Sequence, residues 1–282
     1  MTQVALVWHM HQPYYEDLVT REHILPWVRL HALKDYFGMV ELLREFPSVR
    51  VTFNLVPSLL VQLEAFAADR ATDRVLDLGL KPAETLTSSD IAFMVENFFH
   101  AHPARMIGIY PRYAELRARR GTGQDAATAA RRFSVDDLRD LQVWQKLAWM
   151  DPYYLQGDVR IRGLVEKGRQ FTEDDKHLLR AVELELLNKV IPAYREAAAR
   201  GQAELSTSPF YHPILPLLCD SDAHLQAHPD AARPRVRFAR PEDARLQIDR
   251  AIAFHEAAFG RRPLGMWPSE GSVSNQALQL IA

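Results

Sequence analysis

The sequence has almost no cysteine and no surplus of charge of either sign. Cys219 is the single cysteine among 282 residues. It cannot form an internal disulfide, which argues against a small disulfide-held secreted domain and indicates a reducing compartment, so we expect a cytoplasmic protein. Lys and Arg number 34 and Asp and Glu number 36, so the formal net charge is −2. Because such a chain has no overall basic field, we predict neither nucleic acid nor a membrane as a partner.

Long hydrophobic runs are also absent. The first apolar run stops at Trp8 and is followed by the polar segment HMHQP. This run is too short for a membrane span or for the hydrophobic part of a signal peptide, and we expect a buried strand there instead. The composition, 48% hydrophobic and 25% charged, is that of an ordinary globular protein.

Short apolar runs alternate with helical periodicities along the chain. Strands are predicted at 4–8, 49–55, 203–208 and 264–267, and helices at 27–46, 59–70, 241–259 and 272–282. A large, mostly helical insertion is expected at about 85–200, with the basic segment 117–132 forming a surface loop within it. The S/T-x-x-D spacings Ser134–Asp137 and Thr172–Asp175 mark two helix starts. The order of elements predicts an α/β fold, which binds ligands at the carboxyl ends of its parallel strands.

His9 and His11 lie two residues apart at the end of the first predicted strand, which puts both on one face. Three interpretations remain open for this pair. The histidines could open a metal site, hydrogen-bond the hydroxyls of a polar substrate, or be satisfied structural residues. Gln12 follows them, and an amide beside imidazoles offers both donors and acceptors, as sugar hydroxyls require.

Other polar and aromatic residues follow the remaining strands. Glu270 stands in MWPSEG, where Pro268 and Gly271 frame a tight turn, on the same predicted rim as His9, His11 and Asn54. Glu204 and His212 are weaker candidates, since a strand acid or a loop histidine is often structural. Aromatic rings gather near the strand ends, where they could stack on sugar rings; they are Tyr14, Tyr15, Trp27, Phe210, Tyr211 and Trp267.

Four strand-end motifs, in this order, resemble the amino-terminal half of glycoside hydrolase family 57, the α-glucan-active amylases and glucanotransferases. They are HMHQPYY, FNLVPSLL, ELSTSPFYHPILPLL and GMWPSEG, and LPWVRLHALKDY resembles the family's first helix. The resemblance covers nearly the whole chain. It implies that residues 1–282 are the first part of a TIM-like (β/α)₇ barrel, incomplete in this chain, with a retaining mechanism and neither metal nor cofactor.

The resemblance also implies roles for individual residues. Glu270 matches the nucleophile and His11 with Gln12 matches the first motif, whereas Glu204 matches the acid of the second motif although the commoner Gly-Asn-x-Glu form is missing. The acid/base aspartate is expected beyond residue 282, so residues 1–282 alone are predicted to be inactive. The predicted substrate-binding residues are His9, His11, Gln12, Asn54, Glu204, His212 and Trp267.

The resemblance implies an α-glucan or maltooligosaccharide substrate, with hydrolysis, disproportionation, branching and galactoside cleavage all within the family's range. Two other functions remain open. A metal-dependent amidohydrolase or deacetylase would use His9 and His11 as metal ligands. A non-catalytic carbohydrate-binding protein would keep the aromatic rim and tolerate loss of Glu270.

Overall fold

The computed structural model describes residues 4–282. The chain divides into two compact units. The first contains the described residues up to Tyr14, with Val40–Glu64 and Ile191–Ala282. The second contains Tyr15–Met39 and Ala65–Val190. The first unit carries the β-sheet, and the second is helical.

The sheet of the first unit has three parallel strands in the order β1 (Val7–Met10), β2 (Val51–Leu55) and β3 (Ala203–Ser206). The register pairs His9 with Asn54 and Asn54 with Ser206. These three residues therefore form one row across the sheet, close to its carboxyl edge. Parallel pairing with long crossovers is what the predicted α/β order requires.

The two faces of the sheet differ in polarity. Phe53, Leu55 and Leu205 are buried on one face, where the ring of Phe53 meets Tyr194 edge-to-face at 4.9 Å. The alternate positions, among them Thr52, Asn54 and Ser206, carry polar side chains, as a period of two demands. The sheet therefore presents a polar face that ends at the histidines.

The helices, in chain order, are α1 (Trp27–His31), α2 (Phe37–Glu41), α3 (Pro57–Ala67), α4 (Arg74–Leu80), α5 (Ser88–Asn97), α6 (Pro111–Arg120), α7 (Ala126–Ala130), α8 (Val135–Leu147), α9 (Pro152–Gly157), α10 (Val159–Lys167), α11 (Glu173–Ala199), α12 (Leu215–Cys219), α13 (Pro241–Phe259) and α14 (Asn275–Ile281). A π-helical turn, Ala32–Tyr36, separates α1 from α2, so the helix predicted at 27–46 is helical but irregular. None of the helices within residues 4–282 has the length and apolar composition needed to cross a membrane.

Three local predictions are wrong. Residues 264–267 do not form a fourth strand, because only Met266 pairs, in an isolated parallel bridge with Thr207. β1 begins at Val7 rather than residue 4 and is not a buried strand, since Trp8 is 51% exposed. The basic segment 117–132 is not a loop throughout, because residues 117–120 end α6 and residues 126–130 form α7. Arg120, the last residue of α6, contacts Glu96 at 2.6 Å.

The second unit buries a set of paired charges, which we call the ion cluster: Arg29, Asp73, Lys146 and Glu183. Arg29 donates to both oxygens of Asp73, at 2.7 and 3.0 Å, and to Glu183 at 2.9 Å. Lys146 Nζ donates to the other Glu183 oxygen at 2.5 Å. None of the four residues is more than 4% exposed. Burial is tolerated because each charge faces an opposite one.

Candidate active site

Three imidazole rings meet at the carboxyl edge of the sheet. His9 lies in β1, His11 follows that strand, and His212 lies in the loop after β3. The rings of His11 and His212 stack, with centroids 4.0 Å apart and planes inclined at 28°. His9 lies 5.1 Å from the His212 ring and 5.8 Å from the His11 ring. We call His9, His11 and His212 the histidine cluster.

Asn54 connects the histidine cluster to the sheet. Its Oδ1 lies 2.7 Å from His9 Nδ1 and accepts a hydrogen bond from Ser208 Oγ at 3.0 Å. Its amide nitrogen donates to Ser206 Oγ at 3.1 Å and to the carbonyl of Thr207 at 2.7 Å. Asn54 is 0% exposed. The side chain is therefore fully engaged by the protein and is not open to a ligand.

Glu270 stands in a tight turn beside this cluster. It adopts a left-handed backbone conformation with φ of 55°, followed by Gly271 with φ of 65°. Its Oε1 lies 3.7 Å from Nδ1 of His212, and its side chain is 67% exposed. His212 is also left-handed, with φ of 56°. Strained backbone at two facing residues is a feature that clusters at functional sites.

The turn that carries Glu270 is anchored to the end of β3. The Trp267 N–H donates to the carbonyl of Thr207 at 2.8 Å, beside the bridge between Thr207 and Met266. The Trp267 ring is 45% exposed and lies 6.3 Å from the ring of His9. A flat ring at this distance is placed to pack against a ligand held by the histidines.

The electrostatics of the cluster favour neutral imidazoles. Burial, together with the nearby His11 and His9, lowers the pKa of His212 to about 4. Burial and His9 lower the pKa of His11, and Glu270 opposes that shift. The Nε2 atoms of both residues are buried and have no hydrogen-bond partner within residues 4–282. Buried polar atoms normally have partners, so these nitrogens are available to a ligand.

The histidine cluster is also the group of side chains that could hold a metal ion. One ligand nitrogen from each residue lies within 4.8 Å of the others. Imidazole suits zinc and other transition metals. These donors are therefore compatible with a metal site built on His9 and His11, with His212 as a third ligand.

One predicted residue stands apart from this arrangement. Glu204 is exposed in β3, paired in register with Thr52 two residues before the Asn54 row, and lines a surface groove with Thr52 and Arg261. Gln12 follows His11 in chain order, and its backbone carbonyl accepts a hydrogen bond from Ser58 at 2.8 Å. The neighbours of the histidine cluster include Asn54, Trp267 and Glu270.

Sequence reasoning missed the hydroxyl residues that support the site. The hydroxyls of Ser206 and Ser208 contribute two of the contacts to Asn54 described above, and the buried Ser269 Oγ, next to Glu270, has no partner within residues 4–282. Small hydroxyl residues after a strand are common in loops. The only sequence feature that could have indicated their role is their position in STSPFYH, which starts at the last residue of β3.

A model of the protein family described as glycosyl hydrolase family 57 matches residues 5–282. The chain belongs to glycosyl hydrolase family 57. The resemblance drawn from the four strand-end motifs is thereby confirmed. No curated protein sequence matches the chain significantly.

Solved structures of two branching enzymes of glycoside hydrolase family 57 and of an α-amylase are similar to this chain at low identity. A branching enzyme from Thermococcus kodakaraensis is 17% identical with a TM-score of 0.43, covering 94% of this chain and 32% of its own. The α-amylase AmyC from Thermotoga maritima is 15% identical with a TM-score of 0.45, covering 98% and 37%. A branching enzyme from Pyrococcus horikoshii is 18% identical with a TM-score of 0.43, covering 94% and 34%. The chain spans about a third of the length of each.

Proposed function

We propose that this family 57 chain carries part of the active site of a retaining glycoside hydrolase or transglycosylase that acts on α-glucans, with Glu270 as the nucleophile. The observation that supports this most directly is the exposed Glu270 carboxylate, 3.7 Å from His212 in a cluster of imidazoles. The protein as a whole is proposed to be a TIM-like barrel enzyme of which residues 1–282 are the first part.

The chemistry needs two carboxyl groups. The Glu270 carboxylate attacks the anomeric carbon while the glycosidic bond breaks, and the leaving oxygen takes a proton from an acid. A water molecule or a sugar hydroxyl then attacks the same carbon, its proton passes to the deprotonated acid, and the bond from the sugar to Glu270 breaks. We expect the acid to be an aspartate beyond residue 282, about 5–5.5 Å from Glu270, the separation typical of retaining enzymes.

The histidine cluster is proposed to bind the sugar next to the scissile bond. A neutral imidazole has one donor and one acceptor, which matches a sugar hydroxyl. Positive charge develops on the sugar ring in the transition state. Because their pKa values are lowered by burial, His11 and His212 stay neutral near pH 7 and do not oppose that charge. Trp267 is proposed to pack against the sugar, and Gln12 to contribute to the same subsite.

Trapping of the glycosyl intermediate tests the nucleophile directly. An α-glucosyl fluoride needs little acid assistance, since fluoride is a good leaving group. The 282-residue protein is incubated with 5-fluoro-α-glucosyl fluoride, digested, and searched for a labelled peptide by mass spectrometry. We expect the label on Glu270 in the wild type and in Glu204→Gln, and no label in Glu270→Gln. A label on another carboxylate would refute the assignment.

Activity of residues 1–282 alone provides a second test of the missing acid. This chain is expected to leave soluble glucan intact, because general acid catalysis typically contributes 10²–10⁴-fold. An activated aryl glucoside is expected to be the better substrate. Strong turnover of unactivated glucan would mean that the acid lies within residues 1–282.

A metal-dependent hydrolase is the second candidate, and the three imidazoles within 4.8 Å of one another are the observation in its favour. It predicts one tightly bound transition metal per chain and loss of activity with a chelator. A carbohydrate-binding protein without catalysis predicts instead that Glu270→Gln changes neither sugar binding nor any slow turnover. Metal analysis and the trapping experiment separate the three.

A further inference from the structure

The hydrogen bonds around Asn54 determine which way its amide points. The carbonyl oxygen of Thr207, 2.7 Å from Asn54 Nδ2, can only accept a hydrogen bond. The amide nitrogen must therefore be the atom that faces Thr207. Rotation of the amide by half a turn would set two oxygens against each other in a fully buried place, which is strongly unfavourable.

The orientation of Asn54 in turn determines the proton on His9. With Nδ2 turned to Thr207, the atom 2.7 Å from His9 Nδ1 is the oxygen Oδ1, which can only accept. His9 Nδ1 must therefore carry a hydrogen. In the neutral ring the remaining nitrogen, Nε2, is then an acceptor.

We propose that Asn54 is a positioning residue that holds His9 as the Nδ1–H tautomer, so that His9 Nε2 accepts a hydrogen bond from a sugar hydroxyl. The chain of contacts runs from the Thr207 carbonyl through Asn54 to His9. The expectation that Asn54 itself binds substrate is replaced, because the side chain is 0% exposed and all of its polar contacts are to the protein. The sugar contact rests on the proposed function, whereas the tautomer does not.

The position of Ser208 supports this orientation of the Asn54 amide. Ser208 Oγ lies 3.0 Å from the same Asn54 oxygen and donates to it. Asn54 Oδ1 therefore has two donors, Ser208 and His9, which fill its two lone pairs. The Thr207 carbonyl also accepts the Trp267 N–H at 2.8 Å, so the same oxygen anchors the turn that leads to Glu270.

The tautomer can be measured without any substrate. The 282-residue protein is labelled with ¹⁵N-histidine, and long-range ¹H–¹⁵N spectra are recorded at alkaline pH, where the ring is neutral. We expect a protonated Nδ1 and an unprotonated Nε2 for His9. A protonated Nε2 in the wild type would overturn the proposal, whatever the sugar-binding result.

Three variants separate positioning from general damage to the sheet. Asn54→Ala is expected to leave His9 in a mixture of tautomers, because no fixed acceptor then faces its Nδ1. Ser208→Ala removes the other bond to the same oxygen and should leave the tautomer unchanged. Thr52→Val lies on the same face of β2, two residues earlier, and should also leave it unchanged. A pure Nδ1–H form in folded Asn54→Ala contradicts the proposal.

Titration with maltotriose, monitored through the chemical shifts of the labelled histidines, tests the sugar contact. We expect roughly tenfold weaker binding for Asn54→Ala, the cost of about one hydrogen bond, and near wild-type binding for Ser208→Ala and Thr52→Val. If Asn54→Ala does not fold, the wild-type tautomer and its retention in Ser208→Ala still decide the matter. An Nδ1–H tautomer with no maltotriose binding in the wild type would count against the proposed function alone.

Discussion

The histidine cluster of the first unit and the ion cluster of the second unit handle buried polar groups in opposite ways. In the ion cluster, Arg29 satisfies Asp73 and Glu183, and Lys146 takes the remaining Glu183 oxygen. In the histidine cluster, the Nε2 atoms of His11 and His212 are buried without partners in the described part of the chain. Paired charges indicate a structural role, whereas the unpaired nitrogens of His11 and His212, beside the exposed carboxylate of Glu270, can receive a ligand.

The two clusters also differ in how their pKa values respond to burial. Burial disfavours the charge on Glu183, but Lys146 and Arg29 outweigh it and hold the pKa of Glu183 below its usual range. Burial likewise disfavours the charged form of His212, and its histidine neighbours add to that effect. Glu183 therefore keeps its charge at neutral pH, whereas His212 stays neutral.

The largest effect that the comparison predicts is the fall in turnover when Glu270 is removed. In the active protein, Glu270→Ala should lower turnover of a maltooligosaccharide by several orders of magnitude, because the attacking carboxylate is gone. Unfolding temperature should stay close to wild type, since the side chain is 67% exposed. Added azide or formate is expected to restore part of the turnover. Near-normal turnover of Glu270→Ala would rule out its role as nucleophile.

Loss of Glu183 should lower the free energy of unfolding, whereas loss of Glu270 lowers turnover. Glu183→Ala leaves Arg29 and Lys146 buried without their shared partner, which typically costs about 3–5 kcal/mol. Glu185→Ala, in the same helix α11, is the matched control; Glu185 is exposed and pairs with Arg160 at 2.6 Å. An exposed pair contributes less than about 1 kcal/mol. Urea denaturation measures both, and equal losses would contradict the distinction between the clusters.

Much of the fold followed from local signals in the sequence. The bounds of α13 agree with the prediction to the residue, because Pro241 opens the helix and Gly260 closes it in a left-handed conformation with φ of 74°. The capping boxes at Ser134 and Thr172 are present as predicted. Such signals are readable because the physical cause lies within a few residues of the element it shapes.

Only part of the candidate site could be predicted from the sequence. His9, His11, His212, Trp267 and Glu270 come together because carboxyl ends of parallel strands meet at one edge. The role of Asn54 was not readable, since it depends on the Thr207 carbonyl, a backbone atom more than a hundred residues away in the chain. Residues 264–267 were mistaken for a strand because a short apolar run carries no information about pairing.

The pH dependence of stability provides a smaller test of the histidine cluster. His212 has a pKa of about 4 in the folded chain against an ordinary value of 6.5. The unfolded chain therefore takes up a proton first, and the stability contributed by neutral His212 is lost as pH falls from about 6.5 toward 4. We expect a loss of about 1–2 kcal/mol between about pH 7 and pH 5. His212→Gln should lose correspondingly less in urea denaturation over that range; an identical pH profile would show that His212 is not held neutral.

The smallest effect is expected from a chelator. Zinc binds imidazole nitrogens at about 2.0–2.1 Å in a tetrahedron, so the nitrogens of a preformed site lie roughly 3.4 Å apart. The histidine cluster is looser, with ligand atoms up to 4.8 Å apart. The His11 and His212 rings are inclined at only 28°, so their lone pairs run side by side instead of converging on one ion. EDTA treatment followed by gel filtration should therefore leave maltotriose binding unchanged. Loss of binding that added zinc restores would favour the metal-dependent hydrolase instead.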